Sequence, residues 1–133
     1  MSEEKLLNGI DNLLQEHFLN LTEKLLQSMH LKFLHTEIQD SNIINVKGSI
    51  ELGVISYKYA IYMIRNTSEV NDSIVTRFRE GMDPHTDKGL IITTGKFTRK
   101  AKQLAKQKGK IPIDLVDGTI LNKKITENAI QIE

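Results

Sequence analysis

Apolar residues recur at three- and four-residue spacing from Leu6 to Met29, with Leu6, Ile10, Leu13, Leu14, Phe18, Leu21, Leu25 and Leu26 marking one stripe. That period is helical, so a helix is expected over about residues 2–29. Gly9 offers a place to interrupt it, and Asp11 offers a cap for a fresh start. A stripe this long serves either as core or as part of a homodimer interface. The pattern then changes. Glu37-Ile38-Gln39, Ile43-Ile44-Asn45-Val46 and the run Ile50 to Ile55 read as strands, with Lys47-Gly48-Ser49 as a turn. Tyr57 to Arg65 is rich in aromatic and β-branched residues. Its stretch Tyr59 to Ile64 is apolar or aromatic throughout, as in a central strand covered on both faces.

Helical spacing returns from Asp72 to Met82, where Ile74, Val75, Phe78 and Met82 share a face and Asp83-Pro84 ends the run. Gly89 to Thr94 reads as a short buried strand. Thr98 caps a helix that ends at Gly109, with Ala101, Leu104 and Ala105 turned inward. Pro112 to Val116 is a last strand, Asp117-Gly118 a turn, and Thr119 to Ile125 a short closing helix. Strand–helix–strand–helix–strand from Tyr57 to Val116 requires crossover connections and parallel neighbours. The earlier strands form an antiparallel meander. The expected fold is α/β, a mixed β-sheet flanked by helices, formed as a single domain over residues 1–133.

Composition narrows the classes. The chain is 39% hydrophobic and 26% charged, which argues against disorder. It has no cysteine, so disulfides and thiolate metal sites are excluded. No apolar run approaches the roughly 20 residues of a membrane helix. The acidic start, Met1 to Lys5, lacks the basic region of a signal peptide, so a cytoplasmic location is expected. The four histidines, His17, His30, His35 and His85, are not paired at metal-ligand spacing. No nucleophile-plus-base arrangement is visible.

Net charge is only +1, but it is unevenly spread. Lys96, Arg99, Lys100, Lys102, Lys106, Lys108 and Lys110 are seven cations in fifteen residues with no acid among them, and the other 11 of the 18 cations face 17 acids. Such asymmetry suits an anionic partner, although a solvated helix face explains it equally well.

Order, spacing and residue type then combine. Lys88-Gly89-Leu90-Ile91-Ile92-Thr93-Thr94-Gly95-Lys96-Phe97-Thr98, followed by Ala101, Ala105 and Ile113-Asp114-Leu115-Val116-Asp117-Gly118, resembles the catalytic domain of the Mrr-like restriction endonucleases. Val70 to Met82, with Phe78-Arg79, fits the preceding helix of that family. Phe18-Leu19-Asn20-Leu21 with Leu25-Leu26 fits its first helix. The resemblance covers roughly residues 16–125 and is strongest over 70–118. It implies the PD-(D/E)XK nuclease fold, a restriction-endonuclease-like three-layer domain, and Mg²⁺-dependent cutting of DNA in restriction systems.

That chemistry needs two carboxylates, or a carboxylate and an amide, to hold Mg²⁺ at a strand end. It also needs a lysine near the attacking water and the phosphate. The family's pattern is an aspartate after a Gly-Gly turn, then Gln-x-Lys on the central strand. Here Gly48-Ser49-Ile50-Glu51 fits the turn, with Glu51 in the aspartate's place. Tyr62 stands where glutamine belongs and Ile64 where lysine belongs, and Arg65 matches an arginine that commonly follows. The acid of the first helix would fall near Leu19, with Glu23 one turn later. The resemblance therefore implies a degenerate active site in a domain that binds DNA without cutting it and needs no cofactor. DNA contacts are expected at Lys96, Arg99, Lys100, Lys102 and Lys106. Two alternatives stay open: a working Mg²⁺-dependent endonuclease with migrated residues, built on Glu51 as metal ligand and Arg65 as cation, and a non-catalytic module that dimerises through its N-terminal helix.

Overall fold

The computed structural model describes residues 2–132. The N-terminal stripe forms two helices, α1 (Glu3–Asp11) and α2 (Gln15–Ser28). The break falls at residues 12–14 rather than at Gly9. Asp11 does not cap α2. It is the last residue of α1, and its carboxylate accepts from the Asn66 N–H (2.9 Å) and the Thr94 hydroxyl (2.8 Å). A long-range tie has thus taken the carboxylate that local pattern reserved for a cap.

The chain continues through β1 (Lys32–Asp40), β2 (Ile43–Leu52), β3 (Ile55–Ile64), β4 (Glu69–Val70) and α3 (Asp72–Glu80). It closes with β5 (Lys88–Thr93), β6 (Lys96–Phe97), α4 (Arg99–Ala105), β7 (Ile113–Val116) and α5 (Gly118–Glu127). The main sheet has the order β1-β2-β3-β5-β7. Its first three strands are antiparallel, and β3, β5 and β7 are parallel, as the crossover argument requires. β4 and β6 form a separate small parallel pair.

Alternation along β3 sorts the core into two layers. Ile61 and Met63 point to one face, where they meet Ile10, Phe18, Leu26 and Leu121 from α1, α2 and α5. Ala60, Tyr62 and Ile64 point to the other, against Val75, Phe78 and Ala101 from α3 and α4. The result is helices, mixed sheet, helices: a three-layer α/β architecture.

The stripe that suggested a homodimer lies largely inside the chain. Leu6, Ile10, Phe18, Leu21, Leu25 and Leu26 are all buried, whereas Leu14 is 63% exposed. Leu14→Ser is therefore expected to change neither the molar mass by light scattering nor the stability by more than about 0.5 kcal/mol. A fall in mass on that substitution would restore the helix as a dimer surface.

The largest departure from the sequence reading is β2. Lys47-Gly48-Ser49 is not a turn but the middle of one continuous strand. Gly48 is required there by a neighbour, because a Cβ would sit 2.6 Å from the Lys32 carbonyl oxygen and 2.9 Å from Leu31. The reversal comes five residues later at Gly53-Val54, where Gly53 has φ +63°. Leu52 pairs with Ile55 across that two-residue loop.

Candidate functional site

Moving the turn changes where each site residue lies. In the β2–β3 hairpin Glu51 is opposite Ser56, close to the exposed tip. Tyr62 is six residues further along β3, about 20 Å away at roughly 3.3 Å per residue. Arg65 is nine residues from Ser56, about 30 Å. Glu51 and Arg65 are therefore at opposite ends of the hairpin and do not form the two-residue site drawn from the sequence. The physical reason is the position of the loop. A turn at residues 47–49 would have brought Glu51 back toward the strand end, and a turn at Gly53 sends it away.

For both strands to hold one ion, the donor on β2 must be a cross-strand neighbour of position 62 or 64. The register gives Asn45 opposite Tyr62 and Ile43 opposite Ile64. Asn45 was not singled out in the sequence, and only the hairpin register reveals it. None of these four side chains is a carboxylate or a cation. Tyr62 and Ile64 are 3% and 4% exposed, so both belong to the core. The Tyr62 ring packs on Phe78 with centroids 4.7 Å apart at 57°. Mg²⁺, the ion the resemblance implies, is ill matched to one amide, one phenol and two isoleucines. Among the described residues no three His, Asp or Glu side chains converge to hold a metal.

Arg65 follows β3, and it is 5% exposed. Its guanidinium donates to the carbonyls of Ile10 (3.1 Å) and Leu13 (2.6 Å) at the end of α1. It also donates to Ser41 O between β1 and β2, at 3.0 Å and 3.3 Å. The guanidinium carbon lies 4.3 Å from the centroid of the Phe18 ring. Burial lowers its pKa, and the Asp11 charge raises it part of the way back. Four of its five N–H groups are directed at backbone carbonyls, so this cation ties α1, α2 and the β1–β2 turn together at the sheet end. Arg79 is used in the same way, donating to Ile111 O (2.6 Å) and Leu104 O (2.8 Å), and burial lowers its pKa too.

The ends of the parallel strands open on two concavities. One, of about 290 Å³, is bordered by Ile43, Ile64 and Arg65 together with Asp40 and Glu69. The other, of about 530 Å³, is lined by Glu3, Glu4 and Asp11 beside Thr94 and Gly95. Acids thus outnumber accessible cations at this end, which disfavours a phosphate backbone there.

The basic run has the opposite character. Lys96 is in β6; Arg99, Lys100 and Lys102 are on α4; Lys106 is its C-cap; Lys108 and Lys110 follow. All seven are exposed. Thr98 caps α4 as read from the sequence, accepting from the Ala101 N–H at 3.1 Å. At 3.6 residues per turn Arg99, Lys102 and Lys106 share one face, beside the stripe of the buried Ala101 and Ala105. Among the described residues the ion pairs within 4.0 Å are His17–Glu16, Lys88–Asp114 and Lys124–Glu127, and none uses this run. Lys96, Arg99, Lys100, Lys102 and Lys106 are thus all exposed and in no ion pair among the described residues.

Three comparisons bear on this architecture. A family model described as a restriction endonuclease, the Mrr catalytic domain, matches residues 10–125. No curated protein matches the sequence. Among solved structures, the DNA modification-dependent restriction endonuclease AspBHI superposes with a TM-score of 0.72 at 15% identity, over 96% of this chain and 36% of that one. The MspJI restriction endonuclease, solved in complex with a 27-mer oligonucleotide, superposes with a TM-score of 0.52 at 15% identity, over 84% of this chain and 26% of that one. The chain thus spans about a third of AspBHI or less than a third of MspJI.

Proposed function

The chain belongs to the restriction endonuclease family defined by the Mrr catalytic domain, and from that premise we propose that it is a DNA-binding member without cleavage activity. The observation that carries the loss of cleavage is the strand end itself. Ile43, Asn45, Tyr62 and Ile64 occupy the positions from which both hairpin strands would hold a metal and a phosphate, and none supplies a carboxylate or a cation. The neighbouring cation, Arg65, directs four of its five N–H groups at backbone carbonyls. An endonuclease with migrated residues is disfavoured because Glu51 and Arg65 lie about 30 Å apart along the strand.

DNA binding rests on the unpaired surface of α4 and on the oligonucleotide held by the similarly folded MspJI. Contacts of this kind go to phosphates, giving affinity and position without reading sequence. Fluorescence anisotropy on a labelled duplex tests the reading. The logarithm of the association constant should fall linearly with the logarithm of salt concentration, with a slope near −0.9 for each phosphate contacted. Absence of binding at low salt would remove the DNA partner.

A further inference from the structure

A second polar site lies on the other side of α3 from α4. α3 and α4 cover the β3, β5 and β7 side of their face. Beyond α3, toward the β1 edge, a cleft of about 160 Å³ remains between Arg77 of α3 and the strand residues Gln39, Asn45, Lys47 and Tyr62. These five polar side chains come from four elements. Among the described residues none of them makes a side-chain hydrogen bond or an ion pair. Tyr62 is the informative one. The residue is 97% buried, yet its hydroxyl finds no protein partner and is not among the sealed polar atoms. A hydroxyl in that position needs a partner from outside the fold.

We propose that this cleft binds a phosphate group of a nucleic-acid backbone directly, through protein donors rather than through a metal. Lys47 and Arg77 supply the charge. The Tyr62 hydroxyl and the Asn45 and Gln39 amide N–H groups donate to the phosphate oxygens. Two acids lie near. Glu37 is directly opposite Asn45 across the β1–β2 pair. Asp83 is held below the usual carboxylate range chiefly by the His85 backbone N–H, and the charges of Lys47 and Lys58 reach it. Asp87 lies against Lys58, accepting from its backbone N–H, and offsets that lysine, while the lining of the cleft itself holds Lys47 and Arg77 and no acid. Because α3 separates the cleft from α4, and a helix is about 10 Å wide, a strand crossing this layer would meet both. The inference rests on the DNA-binding reading for the source of the phosphate, although not for its chemistry.

Tyr62→Phe tests it with the ring left packed on Phe78. Duplex affinity should fall about tenfold, the worth of one hydrogen bond to a charged group, with the salt slope unchanged because no charge is lost. Lys47→Gln with Arg77→Gln should instead flatten the slope by roughly two units. If changes on α4 weaken binding while neither cleft variant does, DNA binding stands and the cleft proposal is overturned. If the unaltered protein binds no DNA, inorganic phosphate becomes the probe. Amide shifts around Asn45, Lys47 and Arg77 on titration, lost in Tyr62→Phe, would place a free phosphate in the cleft. No shifts would overturn the proposal.

Discussion

Arg65→Ala should lower the stability of the domain by about 3 kcal/mol or more and leave its DNA affinity within a factor of two. The guanidinium satisfies three backbone carbonyls, Ile10, Leu13 and Ser41, and stacks on Phe18 in a site that is 5% exposed. Removing it takes the donor from the part-buried Leu13 and Ser41 carbonyls, leaves the Ile10 carbonyl with the Leu13 N–H alone, and opens space beside an aromatic ring, together about 3 kcal/mol. For a domain of this length that corresponds to a fall in melting temperature of roughly 10 °C. Arg65→Lys should fall between, because an ammonium cannot span the three acceptors with a planar fork. The alternative role, a phosphate contact, predicts the reverse: a small change in stability and a large loss of affinity. Thermal unfolding and anisotropy on the same samples separate the two.

Replacing Arg99, Lys102 and Lys106 together with glutamine should flatten the salt dependence of duplex binding by about 2.7 units if all three touch phosphates. At 0.1 M salt that is a loss on the order of 10²-fold in affinity. The three residues are exposed, so the fold should be untouched. An unchanged slope would reduce the basic run to a solvated helix face.

Local signals made the second half of the chain legible. Thr98 capping α4 and the apolar run of β5 act within a few residues and are found where the sequence put them, whereas Asp117-Gly118, read as a turn, is the N-cap and first residue of α5. α4 itself is shorter than expected, ending at Ala105 rather than Gly109. The first half depends on partners far away in sequence. Gly48 resembles a turn residue, yet it is glycine because the β1 backbone comes within 2.6 Å of where its Cβ would be. β1 is exposed along most of its length, so it has no apolar alternation to reveal it, and only Glu37-Ile38-Gln39 was visible. Arg65 follows a motif position, but its partners are at residues 10, 13 and 41, beyond any local pattern. The error in the hairpin turn carried Glu51 into the candidate site and left Asn45 out of it.

Incubation of the purified protein with supercoiled and linear plasmid, in Mg²⁺, in Mn²⁺ and in EDTA, is the most direct test of a binding domain that does not cut. A missing cation and a missing metal ligand should each cost on the order of 10²-fold or more in rate, by analogy with removed transition-state donors. Intact DNA is therefore expected in every lane at equimolar protein over hours, under salt conditions where anisotropy shows binding. EDTA-sensitive cutting that survives repurification and disappears in Asn45→Ala or Glu51→Ala would contradict this, and would show that the active site had moved rather than decayed.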